Sequence, residues 1–166
     1  CLALAGACDI FDGKIARAMK NRTKEMEIFG IQIDSLCDMV CFGVTPVIIS
    51  YQMGLNSVWG IAIEILFVLC GVIRLAYFNV LEELKHTNPE TDQAKGYRGL
   101  PITTITIIYP IVYLFHPLVS HETFLLFLAI MHIVVAFLYV LDFKLKKPGN
   151  SVIAAMMVLV TAVMVC

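Results

Sequence analysis

Residues 57–81 read SVWGIAIEILFVLCGVIRLAYFNVL, and in these 25 residues Glu64 and Arg74 are the only charged groups. An α-helix of about 20 apolar residues crosses the roughly 30 Å hydrocarbon core of a bilayer. Apolar and polar positions do not alternate here, which excludes a half-buried strand, and a helix apolar on every side needs apolar surroundings. The rest of the chain has the same character: of 166 residues, 60% are hydrophobic and 15% charged, with a mean hydropathy of +0.86. Soluble domains hold about 45–50% and about 25% respectively. Disorder, nucleic-acid binding through basic patches and most soluble enzyme classes are thereby excluded. The net charge of −1 names no partner.

Working outward from 57–81, comparable apolar runs cover about 1–19, 28–53, 100–117, 121–142 and 150–166. The expected fold is all-α: a polytopic transmembrane helix bundle of about six spans, with residues 1–166 forming one membrane domain. Helices satisfy their own backbone hydrogen bonds in lipid, as an open sheet cannot. The chain starts at Cys1, already inside an apolar run, so a preceding helix is expected beyond it. The six cysteines form no CxxC pair and read as small apolar thiols buried in the spans.

The breaks between runs sort the basic residues. Lys20, Arg22 and Lys24 fall in the first loop, Lys85, Lys95 and Arg98 in the third, and Lys144, Lys146 and Lys147 in the fifth, while the second and fourth carry none. The positive-inside rule places the three basic loops in the cytoplasm. His86, His116, His121 and His132 are scattered and form no site, and Glu64 reads as a helix-packing or interfacial group far from any chemistry.

Carboxylates break the apolar pattern. Residues 9–17 read Asp9-Ile-Phe-Asp12-Gly13-Lys-Ile-Ala16-Arg17, and residues 30–38 read Gly30-Ile-Gln-Ile-Asp34-Ser-Leu-Cys-Asp38. On a helix Asp9 and Asp12 share a face, and Gly30, Asp34 and Asp38 form an i, i+4, i+8 stripe. Two antiparallel helices joined by a cytoplasmic loop bring these stripes to one depth. Ionised carboxylates in an apolar volume each cost several kcal/mol, so four together require cations. All-oxygen donors suit Mg²⁺ or Mn²⁺, with Ca²⁺ also compatible, in one ion or two about 3.5–4 Å apart. Gly13, Ala16 and Gly30 either admit a bulky ligand to the backbone or form a small-residue packing face. Arg17 either grips a phosphate oxygen or anchors at the interface, where Lys20, Arg22 and Lys24 face the headgroups of membrane lipids.

Asp-x-x-Asp-Gly-x-x-Ala-Arg followed by Gly-x-x-x-Asp-x-x-x-Asp resembles the signature of the CDP-alcohol phosphatidyltransferases. The stretch between Arg17 and Gly30 is longer than usual for that family by about one helical turn. The run from Ile33 to Pro46, the Arg74-Leu-Ala-Tyr77-Phe-Asn79-Val80 segment and Gly99-Leu100-Pro101 are similar to the membrane-embedded phosphatidylserine synthase branch, although many of its members have Arg at the position of Tyr77.

The resemblance implies transfer of a phosphatidyl group from CDP-diacylglycerol to L-serine, giving phosphatidylserine and CMP, in an integral membrane protein whose active site faces the cytoplasm. It implies that Asp9, Asp12, Asp34 and Asp38 hold two divalent ions and that Asp38 also takes the serine hydroxyl proton. Gly13, Ala16, Arg17 and Gly30 would surround the nucleotide, and a homodimer is common in the family. Arg74, at the depth of the aspartates, either receives a serine carboxylate or lipid phosphate or pairs with a site aspartate. Asn79 and Arg98 are weaker acceptor-site candidates. Sister enzymes using glycerol 3-phosphate or inositol phosphate bring a second phosphate, for which this chain has few cavity cations. A cation transporter explains the carboxylates but not the Gly13, Ala16 and Arg17 placed among them.

Overall fold

The structure is a computed structural model that describes Leu2, Ala5, Gly6, Cys8, Asp9 and residues 23–87, 97–141 and 144–145. The expected sixth span lies outside the described residues, as does most of the first. The regular elements among the described residues are helices and one pair of two-residue strands, joined by short turns.

The first long element begins where Thr23 caps it: the Thr23 hydroxyl accepts from the Met26 backbone N–H at 3.3 Å, and Glu25 and Glu27 complement the positive end of the helix dipole. Helix α1, Lys24–Asp38, continues through a π-helical turn, Met39–Val44, into α2, Thr45–Gln52. The cause of the wider turn lies in Pro46. Proline has no N–H, and its ring clashes with the carbonyl four residues earlier. Widening the turn removes that clash, and the Thr45 backbone N–H and hydroxyl both donate to the Val40 carbonyl, the hydroxyl at 3.0 Å. The wide turn leads from the acidic stripe of α1 into a segment whose Phe42, Gly43, Pro46 and Ser50 are buried.

Helix α3, Val58–Thr87, contains the 57–81 run. A 3-10 turn, Ile102–Thr104, leads into α4, Ile105–Tyr113, and α5 covers His121–Val140, capped by Ser120. Lys24–Gln52, Val58–Leu81 and His121–Val140 are each long and apolar enough to cross a membrane. The expected span at 100–117 is shorter: Ile102–Tyr113 is helical, starting after Pro101 and passing into turns before Pro117. At 1.5 Å per residue this helix is about 18 Å long, less than a bilayer core. The count of six therefore remains an expectation.

Helices α3 and α5 run parallel and form the core with α4. Phe42, Phe67, Ile105, Phe124 and Leu128 are fully or almost fully buried. Two buried hydrogen bonds bind the layers: Tyr139 Oη donates to the Ile102 carbonyl at 3.0 Å, and the Ser50 and Tyr109 hydroxyls meet at 2.9 Å. Outward faces stay apolar, with Ile65, Leu69, Val72 and Ile73 on α3 and Leu126, Ile130, Ile133 and Phe137 on α5 exposed. Such faces suit lipid and not water. Cys8 and Cys37 depart from the sequence expectation, being exposed, because apolar surroundings here include the outer surface.

The two ends of the bundle sort as the charge pattern predicts. The chain around 97–98 pairs antiparallel with 144–145, joining the third and fifth loops, and Lys24 and Glu83 line one cavity, which brings the first loop to the same end. At the other end the second and fourth loops meet, since a Cβ on Gly54 would lie 3.2 Å from His121 Nε2.

Gly99 is the tightest point of the basic end. Its φ of +75° is the left-handed region, and an added Cβ would sit 3.1 Å from the Leu141 carbonyl oxygen and 3.3 Å from Arg74 Cζ. The left-handed backbone alone costs an alanine about 1–2 kcal/mol. Gly99→Ala should therefore lower the thermal unfolding midpoint in detergent, measured by circular dichroism, while a parental midpoint would mean that the loop relaxes freely.

Candidate functional site

Three of the four aspartates converge. Asp9 comes from the N-terminal helical segment, Asp34 and Asp38 from successive turns of α1, and one carboxylate oxygen of each lies within 4.8 Å of the other two. Asp9 and Asp38 are half-buried and Asp34 is exposed. Oxygens coordinating one divalent ion at about 2.0–2.6 Å are separated by no more than about 5 Å across it. The three carboxylates are thus close enough together to be candidate ligands of one hard cation. Asp12, on which a second ion would draw, lies outside the described residues, as do Gly13, Ala16 and Arg17.

Electrostatics argue for a cation as well. Two unit charges 4–5 Å apart repel by about 3–4 kcal/mol at an effective dielectric of about 20. Asp34 is exposed, so water screens part of that repulsion, and a cation among the three would relieve the rest.

Gly30 precedes Asp34 by one turn on the same stripe. A Cβ there would meet no described atom within 4 Å, so the described helices give no packing reason for glycine at that position. Beside the stripe, between α1 and α3, lies a cavity of about 460 Å³ with Lys24, Glu27, Gln32, Asn79 and Glu83 among its walls. That volume is in the range of small-molecule sites.

Asn79 is tied to the acidic helix. Its amide meets Ser35 Oγ at 2.9 Å, and the Ser35 hydroxyl also reaches the Ile31 carbonyl at 3.0 Å. The Ser35 hydroxyl donates to Asn79 Oδ1, with the Ile31 carbonyl a second acceptor within reach of the same proton. Asn79 thus fixes α1 against α3 one residue from Asp34 and also reaches the cavity. The sequence reading noted Asn79 but missed Ser35, whose signal was a hydroxyl beside an aspartate on an otherwise apolar span.

Arg74 is buried, and its Nε donates to the Leu100 carbonyl at 2.9 Å while its guanidinium packs on Gly99. It holds the Gly99-Leu100-Pro101 turn against α3. Its depth relative to the aspartates follows from Met39, the residue after Asp38, which packs on Gly71, one turn before Arg74. Arg98 is placed by its backbone, which pairs with Lys144. His132 and Glu64 are buried elsewhere in the bundle and do not line this cavity.

The chain is 38% identical over 112 residues to CDP-diacylglycerol–serine O-phosphatidyltransferase of Saccharomyces cerevisiae, an alignment spanning 66% of this chain and 39% of that protein. It is 37% identical over 102 residues to the enzyme of the same name from Helicobacter pylori strain J99, covering 60% of this chain and 38% of the relative. To archaetidylserine synthase of Methanothermobacter thermautotrophicus it is 35% identical over 114 residues, 68% of this chain and 44% of the relative. The chain thus spans about two fifths of the length of these relatives. No solved structure gives a significant match. Residues 1–135 match the family description as a whole, Asp9, Asp34 and Asp38 included, and the chain belongs to the CDP-alcohol phosphatidyltransferase family.

Proposed function

We propose that this chain is the membrane-embedded catalytic part of an enzyme that transfers a phosphatidyl group from CDP-diacylglycerol to L-serine, giving phosphatidylserine and CMP. The observation that carries the reading is the convergence of Asp9, Asp34 and Asp38. Family membership and the printed names of three relatives, each acting with serine or named for a serine lipid, support the choice of acceptor.

In this reading Asp9, Asp34 and Asp38, with Asp12, hold Mg²⁺ or Mn²⁺, two ions in all. Bound there, a divalent ion supplies positive charge to the donor diphosphate and to the departing CMP. The protein contributes position and proton handling. Gly13, Ala16, Arg17 and Gly30 admit and orient the nucleotide. A carboxylate oxygen of Asp38 receives the proton of the serine hydroxyl as its oxygen bonds to the phosphorus that carries the lipid. The bond from that phosphorus to CMP breaks in the same exchange. Asn79 keeps the acidic helix in register through Ser35, and Arg74 holds the Gly99-Leu100-Pro101 turn beside the acceptor space, where its positive charge and that of Arg98 favour a carboxylate. The positive-inside rule, applied to the three basic loops, supports a cytoplasmic side for this chemistry, next to anionic headgroups. A homodimer, usual in the family, completes the reading.

The direct test supplies membranes containing the full-length protein with CDP-diacylglycerol, a divalent ion and a panel of alcohols, and follows CMP release and lipid products by mass spectrometry. Serine should give phosphatidylserine; CMP released only with glycerol 3-phosphate or an inositol phosphate would transfer the reading to a sister reaction. Asp34→Asn should lower turnover by more than the roughly 10- to 100-fold typical of outer-shell changes around metals, with weaker Mn²⁺ binding by electron paramagnetic resonance. Turnover close to the parent would remove Asp34 from the site.

Arg74 allows a sharper separation. Lysine keeps the charge but cannot reproduce the Nε bond to Leu100 together with a planar guanidinium. Arg74→Lys should raise the KM for serine by about 10-fold, the scale of one lost charge-assisted hydrogen bond, with little change in the KM for the lipid donor. Equal effects on both substrates, accompanied by a lower melting midpoint, would leave Arg74 a purely structural clamp.

A further inference from the structure

A second polar group of residues lies inside the bundle, away from the aspartates. Glu64 on α3 is 3% exposed and His132 on α5 is fully buried, and neither Glu64 Oε1 nor His132 Nε2 has a hydrogen-bond partner among the described residues. Each such group left unsatisfied costs about 1–3 kcal/mol, more in a lipid-surrounded bundle where no bulk solvent reaches it.

The geometry places the two in one layer. Phe67 follows Glu64 by three residues on the same face of α3, and its ring meets the His132 imidazole edge-on at 4.8 Å between centroids. Tyr109 of α4 lies 6.3 Å from the same imidazole, and the Glu64 carboxyl is within electrostatic range of the Tyr109 phenol. Tyr109 in turn meets the Ser50 hydroxyl at 2.9 Å. No described cation pairs with Glu64.

Donor and acceptor roles follow from what each atom is able to do. His132 Nδ1 lies 3.0 Å from the Leu128 carbonyl, and a carbonyl only accepts, so Nδ1 carries the proton and Nε2 of the neutral ring is a bare lone pair. A carboxylate with no cation beside it in an apolar layer is far less stable than the neutral acid, which owns an O–H. One side therefore needs an acceptor and the other a donor, yet the two atoms are beyond hydrogen-bond reach of each other. A water molecule has both capacities.

We propose that Glu64, His132 and the adjoining Tyr109–Ser50 pair form a buried site for a single water molecule, which accepts from the protonated Glu64 carboxyl and donates to His132 Nε2. The bridge ties α3 to α5 in the interior of the bundle and is independent of the transfer reaction. Its ligand is water with one retained proton, and no metal or lipid enters it.

Infrared spectroscopy on the full-length protein in nanodiscs tests this. At neutral pH a protonated-carboxyl C=O band should be present, vanish in Glu64→Gln, and move to higher frequency in His132→Phe as the bridge is lost. An O–H stretch that shifts in H₂¹⁸O should disappear in the same His132 variant. A C=O band that survives Glu64→Gln, or one indifferent to His132→Phe, overturns the proposal, and an unshifted O–H region overturns the water. Thermal melts give an independent reading: Glu64→Leu and His132→Phe should each lower the midpoint, and the double variant should recover most of the loss because neither orphaned group remains. Simple addition of the two losses would count against a shared bridge.

Discussion

Mutual repulsion among Asp9, Asp34 and Asp38 is the constraint around which the basic end of this bundle is arranged. Carboxylate oxygens within 4.8 Å of one another on two helices repel when ionised, and positive charge among them relieves that repulsion. Whatever brings the N-terminal segment against α1 must work against that repulsion in the absence of positive charge. The surrounding contacts are consistent with such a task. Ser35 and Asn79 fix α1 to α3, Met39 packs on Gly71, and Arg74 fixes the Gly99 turn. The first two connect neighbours of Asp34 and Asp38 to the long helix behind them, and the third ties the Gly99 turn to that same helix.

The π-helical turn belongs to the same frame. Asp38 is its N-terminal neighbour, and the turn exists because Pro46 removes one N–H and crowds the carbonyl behind it. A regular helix through this stretch would carry the phase of the acidic stripe straight on into residues 42–50. The extra residue in the turn changes that phase, so Phe42, Pro46 and Ser50 enter the core while Asp34 and Asp38 keep their own face. A single proline thus lets one long membrane helix serve chemistry at one end and packing at the other.

Much of this was legible in the sequence because lipid makes charge informative. Among residues that are 60% hydrophobic, an aspartate inside a span has few bland explanations, and i, i+4 spacing was enough to anticipate that Asp34 and Asp38 share a face and meet Asp9. The alternation of basic loops likewise anticipated which loops meet, since it reports a bias acting along the whole chain. Contacts between apolar helices were not legible. A helix that is apolar all round gives no phase signal for which side faces a neighbour, so the pairing of α3 with α5 and the Tyr139 bond to Ile102 had no sequence signature. The length of α4 was not legible for a related reason: hydropathy continues through residues 100–117, but the helix begins after Pro101 and gives way to turns before Pro117. Arg74 was read for its charge, and its bond to a backbone carbonyl depends on a loop whose course apolar patterning does not encode.

The two polar groups of the bundle show opposite solutions to one physical problem. Near the basic loops, three carboxylates lie close together with partial access to the surface, an arrangement in which the proposed function has the negative charge kept and cations recruited. Deeper in, Glu64 is single and fully enclosed, and the low-energy arrangement is to give up the charge by retaining a proton. What separates the cases is the number of oxygen donors that the fold gathers at one point and whether an ion has a path to them. A lone buried carboxyl cannot complete the six or more oxygen contacts a hard divalent cation demands, whereas three or four converging aspartates with open shell positions can. The same residue chemistry on neighbouring helices therefore diverges into the proposed metal site and the proposed helix-tying polar contact, and the sequence spacing that gathers the first is what the surroundings of Glu64 lack.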